Sequence, residues 1–144
     1  MTHTPVVFDI TKCKLYVNNT PIDDLAEDGF GITPEAENTA IVGLAGNIGF
    51  NIDPSDACTI VATVKSSSPS HTMLNTLYKN QKAGGAPVKV EVIVESTHIA
   101  AFGFKRRGAL YAIIQKAVPF ETDGKEAPDM EYTFIGFGYF DEMT

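Results

Sequence analysis

Apolar residues recur at every second position along most of this chain. In "ACTIVATVKS", Cys58, Ile60, Ala62 and Val64 share one parity, while Thr59, Val61, Thr63 and Lys65 take the other. A period of two is that of a pleated strand with one face buried. "PVKVEVIVES" repeats the pattern, with Val88, Val90, Val92 and Val94 inward and Lys89, Glu91 and Glu95 outward. "KCKLYVNNTPIDDL" reads as strand, turn, strand, because Asn18 and Asn19 tolerate positive φ and Pro21 restarts an extended chain. "HIAAFGFKRR", "ALYAIIQKAV" and "EYTFIGFGYFDE" predict three further strands, the last two separated by the Gly- and Pro-punctuated loop "PFETDGKEAPDM".

One segment breaks this period. Met73, Leu74, Leu77 and Tyr78 fall on one face at a spacing of about 3.6 residues. Ser68 suits the N-cap, Pro69 the first helical position, Lys79 and Lys82 the negative C-terminal end, and Gly84-Gly85 the stop, so a helix is predicted over residues 69 to 83. Residues 28 to 53 predict a long extended hairpin turning near "PEAENT", with apolar residues set among Gly43, Gly46 and Gly49. That glycine spacing superficially matches a dinucleotide fingerprint but lacks the strand, turn and helix that would cradle a phosphate. The glycines are read instead as letting a hairpin bend or pack closely. Together the elements predict a mainly β chain: one domain over residues 1 to 144, with an N-terminal tail over residues 1 to 6. It is an antiparallel β-sandwich or barrel of seven to eight strands, with one flanking helix covering an open end or an edge.

Composition narrows the function. A chain of 144 residues with nine Phe and five Tyr can bury a real core. Its net charge of -7 argues against a DNA-gripping surface, which needs clustered cations to replace phosphate counterions. The densest basic run, Lys105, Arg106 and Arg107, lies among apolar strand residues and is read as a solvated strand end or a salt-bridging edge. No apolar run approaches the roughly 20 residues that span a bilayer, and "MTHTPVVFDITK" has no basic n-region, so a soluble chain kept in the cytoplasm is expected. Cys13 and Cys58 fall in phase with apolar strand faces and are read as buried small hydrophobes; a disulfide requires the fold to bring them together.

Catalysis needs convergent groups. His3, His71 and His98 are at no metal-ligand spacing from another His or Cys, and His71 is expected to be a surface residue of the helix's first turn. No serine lies in a G-x-S-x-G elbow, and the acidic pairs Asp23-Asp24, Glu27-Asp28 and Asp141-Glu142 resemble turns or termini. No enzyme activity, cofactor or metal is expected. A hydrolase would need a carboxylate pair assembled only in space. A small-ligand-binding β-barrel is the alternative of a different class, suggested by Tyr132, Phe134, Phe137, Tyr139 and Phe140 in the last strand. Aromatics of both parities there suit a subunit interface at least as well as a pocket.

The order of elements adds a family. A "KLYVNN" strand, then "DGFGIT", a glycine-bearing hairpin, a strand and "SSSPSHTMLNTLY" resemble the tail tube proteins of long-tailed, especially contractile, bacteriophages. Ser68-Pro69-Ser70 and Leu74-Leu77 match that family's Ser-Pro-Ser turn and helix. The resemblance implies hexameric rings stacked around a lumen that passes DNA and a tape measure protein. It also implies sheath protein outside, baseplate and terminator proteins at the ends, no membrane, and residence in the virion tail after assembly in the host cytoplasm. A specialised initiator or terminator ring, or a type VI secretion or bacteriocin tube subunit, is the close variant. In this frame Phe30, Ile32, Ile41, Leu44, Ile48 and Phe50, lacking an obvious partner in so short a chain, are the candidates for ring stacking. Met73, Leu74, Leu77 and Tyr78 are candidates for a subunit interface or the core. An acidic lumen would repel phosphates, with Glu35, Glu37, Asp53, Glu91 and Glu95 as candidate lumen residues.

Overall fold

The computed structural model describes residues 10–23, 25–43, 45–120 and 124–143; the expected N-terminal tail and Leu44 lie outside the described residues. In chain order the elements are β1 (Cys13–Val17), β2 (Thr20–Ile22), β3 (Leu25–Pro34), β4 (Thr39–Val42), β5 (Ile48–Asn51) and β6 (Cys58–Lys65). There follow α1 (Pro69–Lys82), β7 (Val88–Val94), α2 (Ile99–Phe102), β8 (Arg106–Ile114) and β9 (Asp129–Glu142). Seven strands form one antiparallel sheet in the order β2-β1-β7-β8-β9-β6-β3, and β4 and β5 form a separate ribbon. The sheet's two edge strands, β2 and β3, are consecutive in the chain with two residues between them, so the sheet returns on itself as a nearly closed barrel.

The period-two residues fill this barrel. Leu15, Ile60, Val64, Val90, Tyr132 and Phe134 are all but inaccessible within one core. Asn18 and Asn19 adopt φ of 50° and 64°, the left-handed values a two-residue hairpin needs between the paired Val17 and Thr20. β7 and β8 come so close at Gly108 that an added Cβ would stand 2.6 Å from the Cα of Glu91.

Helix α1 answers why a β chain carries a helix. It crosses from the end of β6 to the start of β7 and packs against β6 and β8. The Ser68 hydroxyl accepts the His71 N–H at 3.2 Å, and Pro69 occupies the first turn. Leu74 is wholly buried, and Met73, Leu77 and Tyr78 are half-buried against the same core, so this face packs on its own chain. The Gln81 carboxamide donates to the Ala112 carbonyl at 3.2 Å and accepts the Ile114 N–H at 2.9 Å. It thereby pairs β8 beyond Val88, where β7 begins. His71 is not a free surface residue: its Nδ1 lies 2.7 Å from the Tyr132 hydroxyl, which also donates to the His71 carbonyl at 3.2 Å. Burial pushes the Tyr132 phenol up to about 12, which keeps it neutral.

"HIAAFGFKRR" is not one strand. Residues 96 to 102 form a short 3-10 turn and α2, which ends at Gly103 with φ of 80°, and strand β8 begins at Arg106. Ala100 and Ala101 favour helix and Gly103 ends it. No helix among the described residues is long and apolar enough to cross a membrane.

Candidate assembly surface

Pro34 of β3 pairs with Cys58 of β6, and the residues between them, 35 to 57, leave the barrel as an arm. The expected hairpin over 28 to 53 is therefore two structures. Phe30 and Ile32 lie in barrel strand β3, half-buried against the core, and so have partners in their own chain. The arm proper is the β4–β5 ribbon, in which Ala40 faces Phe50, Ile41 faces Gly49 and Val42 faces Ile48. Alternation puts Ala40, Val42, Ile48 and Phe50 on one face and Thr39, Ile41, Gly49 and Asn51 on the other. Every described residue of both strands is exposed, Phe50 by 75%. From Thr39 to Ile52 the sequence carries no charge.

The arm's root is polar and tied. The Asp53 carboxylate accepts the Glu37 N–H at 3.0 Å and the Ser55 N–H at 2.9 Å, and its own N–H donates to Asn38 Oδ1 at 2.9 Å. The two bonds to the carboxylate hold its pKa below the ordinary range. The Thr59 hydroxyl donates to Glu35 at 2.7 Å. Three acidic candidates, Glu35, Glu37 and Asp53, thus gather at the exposed foot of the arm. Glu91 does not present its charge. It points outward from β7 as its parity requires, yet is 3% exposed, with Lys89 Nζ at 3.2 Å and an Arg106 nitrogen at 3.3 Å. Two cations neutralise and cover it, so Glu91 is a buried ion-pair centre and not an exposed lumen charge. Glu95 is exposed but paired with Lys12 at 3.5 Å.

A second apolar surface lies on the barrel's outer wall. Tyr111 of β8 pairs with Phe137 of β9, and Ile113 with Ile135. Tyr111, Ile113 and Phe137 are exposed, as is neighbouring Leu110. Phe137 is one residue beyond Gly136, the partner of Cys58, and so flanks the arm's root, where the Tyr139 N–H donates to the Asp56 carbonyl at 3.0 Å. The β9 aromatics are therefore divided between two faces. Tyr132 and Phe134 point into the interior and are buried in the core, while Phe137 faces out.

A cavity lies at the barrel's seam. It measures about 780 Å³ and is lined by Phe30, Phe102, Phe104, Cys13, Ile22 and Ala26 among others. Strand β2 pairs with Leu15 to Val17, so among the described residues no strand pairs with Cys13 and Lys14 on that side. Cys13 and Cys58 are both free and buried, and burial pushes the Cys13 thiol up to about 11. The basic run is a salt-bridging edge: Lys105 meets Glu142 at 3.6 Å, Arg106 meets Glu91, and Arg107 meets Asp141 at 3.1 Å while lying 4.8 Å from the centre of the Phe104 ring. Among the described residues no three His, Cys, Asp or Glu side chains converge as metal ligands.

Searches by sequence return no matching family model and no matching curated protein. Structure comparison does find neighbours. A chain from the virion of a native gene transfer agent particle superposes with a TM-score of 0.63 at 11% identity, covering 94% of this chain and 98% of its own. The tube-terminating cap of the anti-feeding prophage gives a TM-score of 0.63 at 8% identity over 100% of this chain and 95% of its own. A chain of the PVC sheath-tube complex, an extracellular contractile injection system in its extended state, gives 0.58 at 11% identity, covering 96% and 91%. The chain has the fold of phage-like tail tube and cap proteins. Among the described residues, the arm and the β8–β9 wall hold most of the large apolar side chains left exposed.

Proposed function

We propose that the chain is a structural, non-catalytic subunit of a phage-like tail tube. Copies form hexameric rings that stack into a hollow conduit for DNA and a tape measure protein, with sheath outside and baseplate and terminator proteins at the ends. The observation that carries the reading is the likeness in fold over nearly the full length of both chains in each comparison. The exposed, uncharged arm supports it, because an apolar ribbon held in water is completed by contact with another ring. The net charge of -7 supports it too, since an acidic lumen lets phosphates slide without sticking.

Negative-stain microscopy of the concentrated protein tests this, with long hollow rods as the expected result. A protein that stays monomeric at high concentration would contradict it. A second reading, a ring that terminates the tube, is favoured by the neighbours that are themselves a tube-terminating cap and a sheath/tube terminator. Its signature in the same images is single rings or short stacks.

A further inference from the structure

Nine of the twelve large apolar side chains exposed among the described residues belong to two surfaces. Five are on the arm: Ile41, Val42, Ile48, Phe50 and Ile52. Four are on the β8–β9 wall: Leu110, Tyr111, Ile113 and Phe137. We infer that the apolar face of the arm seats on the β8–β9 wall of a second copy of this chain.

The two surfaces match in form. The arm offers two stacked cross-strand pairs, Ala40 with Phe50 and Val42 with Ile48, and the wall offers two, Tyr111 with Phe137 and Ile113 with Ile135. Two-stranded ribbons of this kind pack face to face at about 10 Å. They match in charge as well. Copies carrying -7 each repel one another, and the paired residues of the two surfaces are themselves uncharged, so their apolar contact adds no ionised pair of its own. The arm also needs a support, because an isolated two-stranded hairpin is marginal in water. Within one copy the arm does not reach the wall, since both stay exposed.

Donor and receptor differ, so the contact is heterologous: each copy gives an arm to a neighbour in one adjacent ring and receives one from the other side, which continues from ring to ring. The arm's root beside Phe137 places both halves of the contact at one end of these strands. The inference rests on the tube reading and names the arm's receptor.

Crosslinking of full-length single-cysteine additions tests it. Phe50→Cys and Phe137→Cys proteins, one carrying a larger tag, are mixed, assembled and treated with a short bis-maleimide. The native thiols are buried and poorly reactive. The expected result is a mixed-size covalent dimer, absent when Phe137→Cys is replaced by Glu131→Cys, about 20 Å along the same strand. A second pair, Ile48→Cys with Ile113→Cys, asks the same with both phenylalanines intact. Rods or rings in the microscope without the mixed dimer from either pair would overturn this receptor and leave the tube reading standing. Wild-type protein that remains monomeric on size exclusion would overturn both.

Discussion

Asp53 ties the foot of the arm through three hydrogen bonds, two of them received by its carboxylate. Its folded pKa lies below its unfolded one, so the stabilisation is fully present above the unfolded pKa and is lost as pH falls through the folded value. The amide protons of Glu37 and Ser55 are expected to titrate together by NMR, at a pH below the usual carboxylate range. In Asp53→Ala that titration should vanish, with the barrel's own amides unmoved. Gly108 makes a different demand. A methyl there meets the backbone of β7 rather than a side chain that can swing away. Gly108→Ala is expected to cost about 1–3 kcal/mol or more in urea unfolding, the range for overpacking a tight site. Gly49→Ala in the open arm should cost far less, because nothing lies within 4 Å of that position.

At the level of elements, α1 is held on the barrel by its apolar face, and Leu74 is that face's most buried residue. Leu74→Ala should destabilise the chain by about 2–5 kcal/mol, read as a lowered denaturation midpoint with secondary structure retained at low denaturant. Strands β1, β6 and β7 and helix α1 were legible because each has one buried face, and burial on one face is what imposes a period. Ser68 and Pro69 added the helix start. Helix α2 was hidden by its length, since four residues show no period. Strand β3 was merged with the arm because a glycine-rich run reads alike whether it packs on a core or stands in water. For Glu91 the parity was right, but parity names a face and not what lies over it; Lys89 and Arg106 reach it from β7 and β8. The β8–β9 wall had a signal in "ALYAIIQ" and "FIGFGYF", where apolar residues occupy both parities and hence both faces.

For the whole molecule, charge and apolar surface act in opposite directions. Copies repel through their net negative charge, while the arm and wall favour contact. Added salt shortens the Debye length, which is about 10 Å at 0.1 M, and leaves apolar burial intact. Light scattering should therefore report larger particles as sodium chloride is raised at fixed protein concentration. Dissociation under the same change would mean that opposite charges hold the copies together. The barrel's closure has a consequence of its own. The stretch that ends one margin of the sheet begins the other, with Asp23 and Asp24 as the only residues between Ile22, paired to β1, and Leu25, paired to β6. A change in that link has to be taken up there or in the irregular stretch between Leu25 and Phe30, because the pairing of Phe30 to Pro34 with β6 fixes which face those residues show. The tip of the ribbon, exposed on every described residue of its strands, carries no such constraint from the sheet.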